Sequence, residues 1–108
     1  MLTLPIKKKW FDMILSGEKK EEYREVKPYW LERFRRIGLI GLDHGVFAYV
    51  LDNTAYVEFR NGYQKDAPRL MAMVKLRVGQ GKEEWGAEPG KEYLVLEIKQ
   101  IEATAFIK

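Results

Sequence analysis

Hydrophobic residues in the first seventeen positions recur with the spacing of a strand and then with the spacing of a helix. Leu2, Leu4 and Ile6 alternate with other residues, and Pro5 favours a place for this strand at the edge of a sheet. A helical stripe follows and predicts a first helix over residues 8–16, which Gly17 would end. Its members, of which the two aromatics are expected to be core anchors, are Trp10, Phe11, Ile14 and Leu15.

A second strand and a second helix are predicted over residues 18–38. The segment EKKEEYREV alternates, so an extended chain would place Lys20, Glu22 and Arg24 on one side. Pro28 suits the first turn of the helix and Gly38 its end. The apolar stripe of this helix is Trp30, Leu31, Phe34 and Ile37. On its other face, expected to be solvated, lie Glu32 and its possible partners Arg35 and Arg36, together with Arg33.

From residue 41 onward the pattern changes to strands. Residues 45–63 predict two strands with a turn at Asp52 and Asn53. Alternation in residues 69–79 and 92–106 predicts two more strands, separated from their neighbours by Gly/Pro-marked loops at 60–69 and 79–91. The inward residues of these two strands are expected to be Leu70, Ala72, Val74, Leu76, Val78, Leu94, Leu96 and Ile98.

This order of elements predicts an α+β fold in a single domain, residues 1–108. Five to six short and mostly antiparallel strands around a small core favour a closed or nearly closed barrel, with the two helices closing one side. The composition, with 46% hydrophobic and 32% charged residues, is that of a folded globular protein. No signal peptide or membrane-spanning run is apparent, so we expect no membrane partner.

Composition also limits the chemistry. The absence of cysteine excludes disulfides, thiolate metal sites and cysteine nucleophiles, and it fits a reducing cytoplasm. His44 is the only histidine, and with Asp43 alone it makes a poor metal site because a zinc ion usually takes three or four protein ligands. No phosphate-binding glycine loop with a following Lys-Ser/Thr occurs. We therefore predict no cofactor and no metal.

Positive charge is concentrated in the first third of the chain. The net charge is +3, and residues 7–36 hold ten lysines and arginines against six acids, whereas the rest of the chain holds nine against ten. Such a bias is compatible with a phosphate-bearing partner as well as with an ordinary soluble surface. The best candidate site lies here, where Lys19, Lys20, Glu22 and Arg24 follow a helix end. Arg24 could bind phosphate or carboxylate, and Glu22 could accept hydrogen bonds from a base.

The segment WFDMILSGEKKEEYR resembles the signature of the ASCH domain, a member of the PUA-like superfamily. That signature is an apolar helix, then Gly-x-Lys, then a strand with Glu-x-Arg, and the matching residues are Gly17, Lys19, Glu22 and Arg24. Residues 59–63 and 83–91 resemble later parts of a small bacterial branch. The resemblance implies a PUA-like barrel with a cleft beside the Gly-x-Lys segment. It further implies that RNA, a nucleotide or a modified nucleoside binds there.

The same resemblance implies a possible enzyme. One compact branch hydrolyses acylated cytidine with a Lys, a Thr and a Glu. The Lys matches Lys19, the Thr position holds Glu22, and neither Glu83 nor Glu84 aligns clearly with the Glu. A carboxylate beside Lys19 favours the charged ammonium and argues against Lys19 as a base. Glu22 could instead activate a water, with Lys19 stabilising the oxyanion, and Ser16 is the only serine nearby.

Three functions follow as hypotheses. The first is an RNA- or nucleotide-binding module, and the second is an amidohydrolase of a modified nucleoside such as N4-acetylcytidine, with Lys19 and Glu22 catalytic. The third is a protein-interaction domain whose apolar patch includes Tyr63 and Trp85. The oligomeric state stays open. The expected ligand-binding residues are Gly17, Lys19, Lys20, Glu22, Arg24, Arg60, Tyr63 and Trp85.

Overall fold

Two strand–helix pairs precede five consecutive strands in the computed structural model, which describes residues 1–50 and 52–105. This confirms the predicted order of strand, helix, strand, helix and then further strands, although the strand at residues 40–43 was not predicted. The elements are β1 (Leu2–Ile6), α1 (Lys8–Leu15), β2 (Glu21–Glu25), α2 (Pro28–Arg36), β3 (Ile40–Asp43), β4 (Val46–Tyr49), β5 (Thr54–Asn61), β6 (Arg69–Gln80) and β7 (Glu92–Ala105). Phe106, the last residue of the predicted final strand, lies outside the described residues.

The main sheet has five strands in the order β1-β5-β6-β7-β2 and curls into a half-barrel. Strand β1 runs parallel to β5, and the other neighbours are antiparallel. Pro5 lies in β1 at one edge, as predicted, because a residue without an N–H is tolerated there. Strand β2 forms the opposite edge, so the two N-terminal strands flank the opening of the half-barrel.

A small second sheet pairs β3 with β4 through a tight turn at His44 and Gly45, both with positive φ. The predicted turn before β5 is also present, and Asp52 there has a φ of 66°. This turn does not form a hairpin between β4 and β5, because β5 pairs with β1 and β6. It is instead part of the connection between the two sheets. The α+β class, the mostly antiparallel strands and the two helices agree with expectation. No helix of the described residues is long and apolar enough to cross a membrane.

The core lies between the concave face of the sheet and the two helices. Phe11, Ile14 and Phe34 anchor the helices and are almost completely buried. The alternation predicted for β6 holds at Leu70, Ala72, Val74 and Leu76, but Val78 is only partly buried. In β7, Leu94 and Leu96 are buried as predicted, Ile98 is only partly buried, and Val95 on the opposite face is buried as well. A smaller cluster on the other face of β7 joins Val95 to Tyr23, Ala87 and Tyr93.

Two expectations need correction. Trp10 is only partly buried and lies in a cavity wall rather than fully in the core, because periodicity does not distinguish a core from a concave pocket. Residues 79–91 are not all loop. Gly79 and Gln80 continue the β6–β7 ladder, and residues Glu83–Trp85 form one 3₁₀ turn. The long pairing of β6 with β7 overrides the low strand preference of Gly79.

Candidate functional site

A cavity of about 770 Å³ lies at the opening of the half-barrel. Both edge strands contribute to its wall: Leu2, Thr3, Pro5 and Ile6 come from β1, and Glu22, Tyr23 and Arg24 come from β2. Further lining residues come from α1, α2, β7, residues 62–63 and the 3₁₀ turn. Ligand sites in proteins commonly have volumes of roughly 300–1,000 Å³, so this cavity has room for a nucleotide-sized molecule.

Aromatic rings make up much of this wall. The seven aromatic residues are Trp10, Tyr23, Tyr29, Trp30, Tyr63, Trp85 and Tyr93. Tyr29 and Trp30 meet edge to face with ring centroids 4.8 Å apart, and Trp30 stacks on the buried Phe34. Tyr63, by contrast, is 86% exposed at the rim. Such a lining offers flat apolar surfaces against which a planar ligand can stack.

Lys19 is positioned by the way α1 ends. Gly17, with a φ of 85°, turns the chain in a left-handed conformation that only glycine adopts readily, and the Lys19 N–H then donates to the Met13 carbonyl at 2.9 Å. The Ile98 N–H donates to the Lys20 carbonyl and joins the segment to β7. These contacts direct the Lys19 side chain inward, where the residue is 1% exposed.

The Lys19 ammonium is enclosed by polar and aromatic partners. It donates to Glu22 Oε1 at 3.0 Å and to the Trp85 carbonyl at 2.5 Å, and it lies 4.7 Å from the ring centroid of Trp10 and 5.0 Å from that of Tyr23. Burial lowers the pKa of Lys19, and the opposing effect of Glu22 does not offset it. The predicted effect of Glu22, which favours the charged ammonium, is present, but burial is the larger effect.

Glu22 joins Lys19 to Arg24. Its second oxygen, Oε2, accepts from Arg24 Nη1 at 2.9 Å, and the same Nη1 donates to the Tyr23 carbonyl at 2.7 Å. The guanidinium carbon of Arg24 lies 5.1 Å from the Trp30 ring centroid. Within residues 1–50 and 52–105, Arg24 Nη2 and Nε donate to no protein group, which leaves them for a ligand.

Tyrosine hydroxyls hold the cavity wall that contains Trp85. The Tyr23 hydroxyl accepts from the Lys82 N–H at 2.9 Å and donates to Glu21 at 2.8 Å. Tyr93 accepts from the Glu88 N–H at 2.9 Å. These bonds attach residues 82–88 to β2 and β7, and the Lys19 contact at Trp85 adds a third point of attachment.

The structure brings together most of the predicted site residues. Glu22, Arg24, Tyr63 and Trp85 line the cavity, and Lys19 lies directly behind Glu22. Tyr63 and Trp85, the aromatics expected in a protein-binding patch, thus belong to this cavity.

Other predicted residues lie elsewhere. Gly17 and Lys20 are exposed away from the cavity wall, and the Arg60 guanidinium donates to the Gln64 carbonyl outside it. Glu83 and Glu84 are exposed and do not line the cavity. The Ser16 hydroxyl, also exposed, donates to the Met13 carbonyl at 3.1 Å.

Several lining residues were not predicted for the site, among them Lys7, Trp10, Tyr29, Trp30 and Arg33. Arg33, expected on a solvated face, is half-buried and also lines the cavity, whereas Arg35 and Arg36 pair with Glu32 as predicted. The signal that was available is the i,i+4 spacing of Tyr29 and Arg33, which places a cation over a ring one turn away.

Comparisons with protein-family models, curated proteins and solved structures gave no match to this chain. The similarity to the ASCH domain therefore stays a prediction from the sequence motif. In the described part of the chain, no group of three or more His, Cys, Asp or Glu side chains is placed to hold a metal ion.

Proposed function

We propose that this protein binds a single nucleobase-bearing ligand, either a free nucleotide or an unpaired nucleotide of RNA, in the cavity between β1 and β2. One observation carries the proposal: the Glu22–Arg24 ion pair lies in the wall of an aromatic cavity that has room for such a ligand. The proposal agrees with the ASCH resemblance, but it rests on the contacts of these residues.

Stacking would supply much of the affinity. Base–aromatic stacking contributes about 1–3 kcal/mol per base, and Trp30 and Tyr29 present ring surface in the cavity wall. Trp30 is backed by the buried Phe34, so its ring is held in place before a ligand arrives. A preformed surface costs less conformational entropy on binding.

Hydrogen bonding would orient the base. Nucleobase edges carry donors and acceptors side by side. Glu22 offers acceptor lone pairs, and Arg24 offers donors beside them. Their ion pair, fixed from behind by Lys19, therefore presents an acceptor and a donor at one place for the edge of a stacked base.

The test measures binding of ribonucleosides, nucleotides and a short single-stranded RNA by calorimetry and by quenching of tryptophan fluorescence. Arg24→Gln should weaken binding about tenfold or more, since it removes charge-assisted hydrogen bonds. The matched control is Arg35→Gln, which breaks the Glu32–Arg35 pair outside the cavity and should leave affinity unchanged. Equal affinities of the parent and Arg24→Gln, with both folded by circular dichroism, would contradict the proposal.

A second candidate function, hydrolysis of an N-acyl nucleoside such as N4-acetylcytidine, is favoured by the Glu22 carboxylate in the cavity wall, which lies 3.0 Å from the buried Lys19 Nζ. In this proposal Glu22 takes a proton from a water, and the water oxygen adds to the acyl carbon. The Lys19 ammonium stabilises the oxyanion that forms on the acyl oxygen. When the oxyanion collapses, the C–N bond breaks and the proton held by Glu22 passes to the leaving amine. Thr3 is the only serine or threonine in the described cavity wall.

A further inference from the structure

We infer that the cavity contains an anion subsite, formed by Lys7 and Arg33, that takes the terminal phosphate of the ligand. The inference deepens the proposed function and rests on it, because it specifies a nucleotide rather than a nucleoside. Its starting point is the charge of the wall. Among the described lining residues, Lys7, Arg24 and Arg33 are cationic and Glu22 is the one acid.

Arg24 forms an ion pair with Glu22, whereas Arg33 has no ion-pair partner among the described residues. Arg33 stacks on Tyr29 with its guanidinium carbon 3.4 Å from the ring centroid, and Nη1 donates to the Tyr29 carbonyl at 3.1 Å. No carboxylate of the described residues lies within ion-pair distance of it. Its neighbours Arg35 and Arg36 are both paired with Glu32. Arg33 is thus held in the cavity wall with unused donors.

Lys7 shows the same contrast with its neighbour. It lies between β1 and α1, is exposed, and lines the cavity. Lys8 pairs with Asp12 at 2.5 Å, whereas Lys7 has no carboxylate partner within the described ranges. Two cations without acidic partners therefore stand in one concave wall, where an anion would be attracted by both.

Burial separates this subsite from the base-binding groups. The Glu22 and Arg24 side chains are 7% and 14% exposed, so they lie deep in the wall, whereas Lys7 is exposed and Arg33 is half-buried. An ionised phosphate has only acceptor oxygens, so it can form no hydrogen bond with the Glu22 carboxylate at the deep end. A nucleotide would accordingly bind with its base inward and its phosphate at the rim, where a guanidinium fork matches phosphate oxygens.

The experiment compares four ribonucleosides with their 5′-monophosphates, and ribose with ribose 5-phosphate, by calorimetry at fixed salt. The test variant is Lys7→Gln/Arg33→Gln. Its control is Lys8→Gln/Arg36→Gln, which also removes two cations, but two that do not line the cavity. The best monophosphate should bind about tenfold or more tightly than its nucleoside. That gain should vanish in the test variant and persist in the control.

Each outcome decides between the two proposals. Equal binding of nucleosides and monophosphates, or a gain that survives the test variant, would overturn the subsite and leave nucleobase binding intact. Binding of ribose 5-phosphate that depends on Lys7 and Arg33, without nucleoside binding, would support the subsite and overturn the nucleobase proposal. Binding of none of these probes would overturn both.

Discussion

The Lys19 ammonium lies 3.0 Å from the Glu22 carboxylate, and both residues are almost completely buried. Burying two charges costs free energy that their attraction only partly returns, so such a pair is weak evidence for a stabilising role. Here the pair fixes a carboxylate between a cation behind the cavity and Arg24 in its wall. We attribute the pair to orientation of Glu22 for a ligand rather than to stability.

Removing Lys19 measures how strongly the two side chains are coupled in the fold. Lys19→Met should lower the free energy of unfolding by about 2 kcal/mol, because Glu22 and the Trp85 carbonyl both lose a charged donor. Adding Glu22→Gln should restore part of the loss, since the remaining partner is then neutral. Urea unfolding of the parent, both single variants and the double variant gives the coupling. Purely additive effects would contradict an energetic link between the two side chains.

Alkaline pH should weaken the fold through Tyr23. Burial raises the pKa of the Tyr23 phenol well above its ordinary value near 10, so the folded state keeps a proton that the unfolded state loses. Stability therefore falls as the pH rises above about 10, by up to about 1.4 kcal/mol per pH unit for one proton.

The measurement is the free energy of unfolding at pH 8, 10 and 11. Tyr23→Phe should show a smaller alkaline loss than the parent, at a cost of about 1 kcal/mol at pH 8 from the hydrogen bonds that it removes. Tyr56→Phe, at a half-exposed ring on β5, serves as the control and should keep the parent slope. An identical slope in Tyr23→Phe would refute the assignment.

Gly81 should tolerate no side chain. A Cβ there would lie 2.5 Å from the Tyr23 ring and 2.7 Å from Ala87 Cβ. Gly81→Ala should therefore lower the free energy of unfolding by about 1–3 kcal/mol, as overpacked sites do. At Gly79 the nearest atom is the flexible end of Arg77, so Gly79→Ala should stay within about 0.5 kcal/mol of the parent. Similar losses in both variants, measured by thermal unfolding, would argue against a tightly packed wall at Gly81.

The fold was predictable because its elements carry local signals. Alternation along β6 matched burial, and Pro5 indicated the edge position of β1. The hairpin of β3 and β4 was not predicted, because the four residues of β3, Ile40–Asp43, are too few to show a clear alternation.

The candidate site was only half predictable. The Gly17–Arg24 segment is continuous in the sequence, so its motif located Lys19, Glu22 and Arg24. Lys7 and Arg33 reach the same cavity from separate elements. Their positions depend on how β1 and α2 face each other across the open edge of the half-barrel.

Salt should weaken nucleotide binding only modestly. Phosphate contacts release counterions, and the cavity wall offers only a few cations, so the logarithmic salt slope should correspond to about one to three contacts. Titrations of a 5′-monophosphate at several salt concentrations measure the slope, with the matching nucleoside as the neutral control. A steep slope would indicate a longer nucleic-acid track outside the cavity, and an unchanged affinity would indicate a ligand without phosphate contacts.

An assay of N4-acetylcytidine hydrolysis with the parent and Glu22→Gln distinguishes an enzyme from a binding module. The acylated-cytidine hydrolases that the sequence motif resembles have a threonine hydroxyl where this chain has Glu22. The leading proposal therefore expects nucleoside binding without turnover of N4-acetylcytidine. If the parent does turn over this substrate, Glu22→Gln should slow it roughly a hundredfold or more, because Gln does not accept the proton of the attacking water. Cytidine affinity should stay close to that of the parent, since Gln retains the shape and an acceptor oxygen.

In the same assay, Lys19→Met distinguishes stabilisation of an oxyanion by Lys19 from orientation of Glu22 by Lys19. If the ammonium stabilises an oxyanion, turnover falls while the substrate KM changes little, because the contact strengthens only in the transition state. If Lys19 only orients Glu22, cytidine affinity and turnover fall together. Parent turnover that survives Glu22→Gln would eliminate Glu22 as the base. A parent without turnover, with a cytidine affinity that falls in Lys19→Met, would leave ligand binding as the function of this cavity.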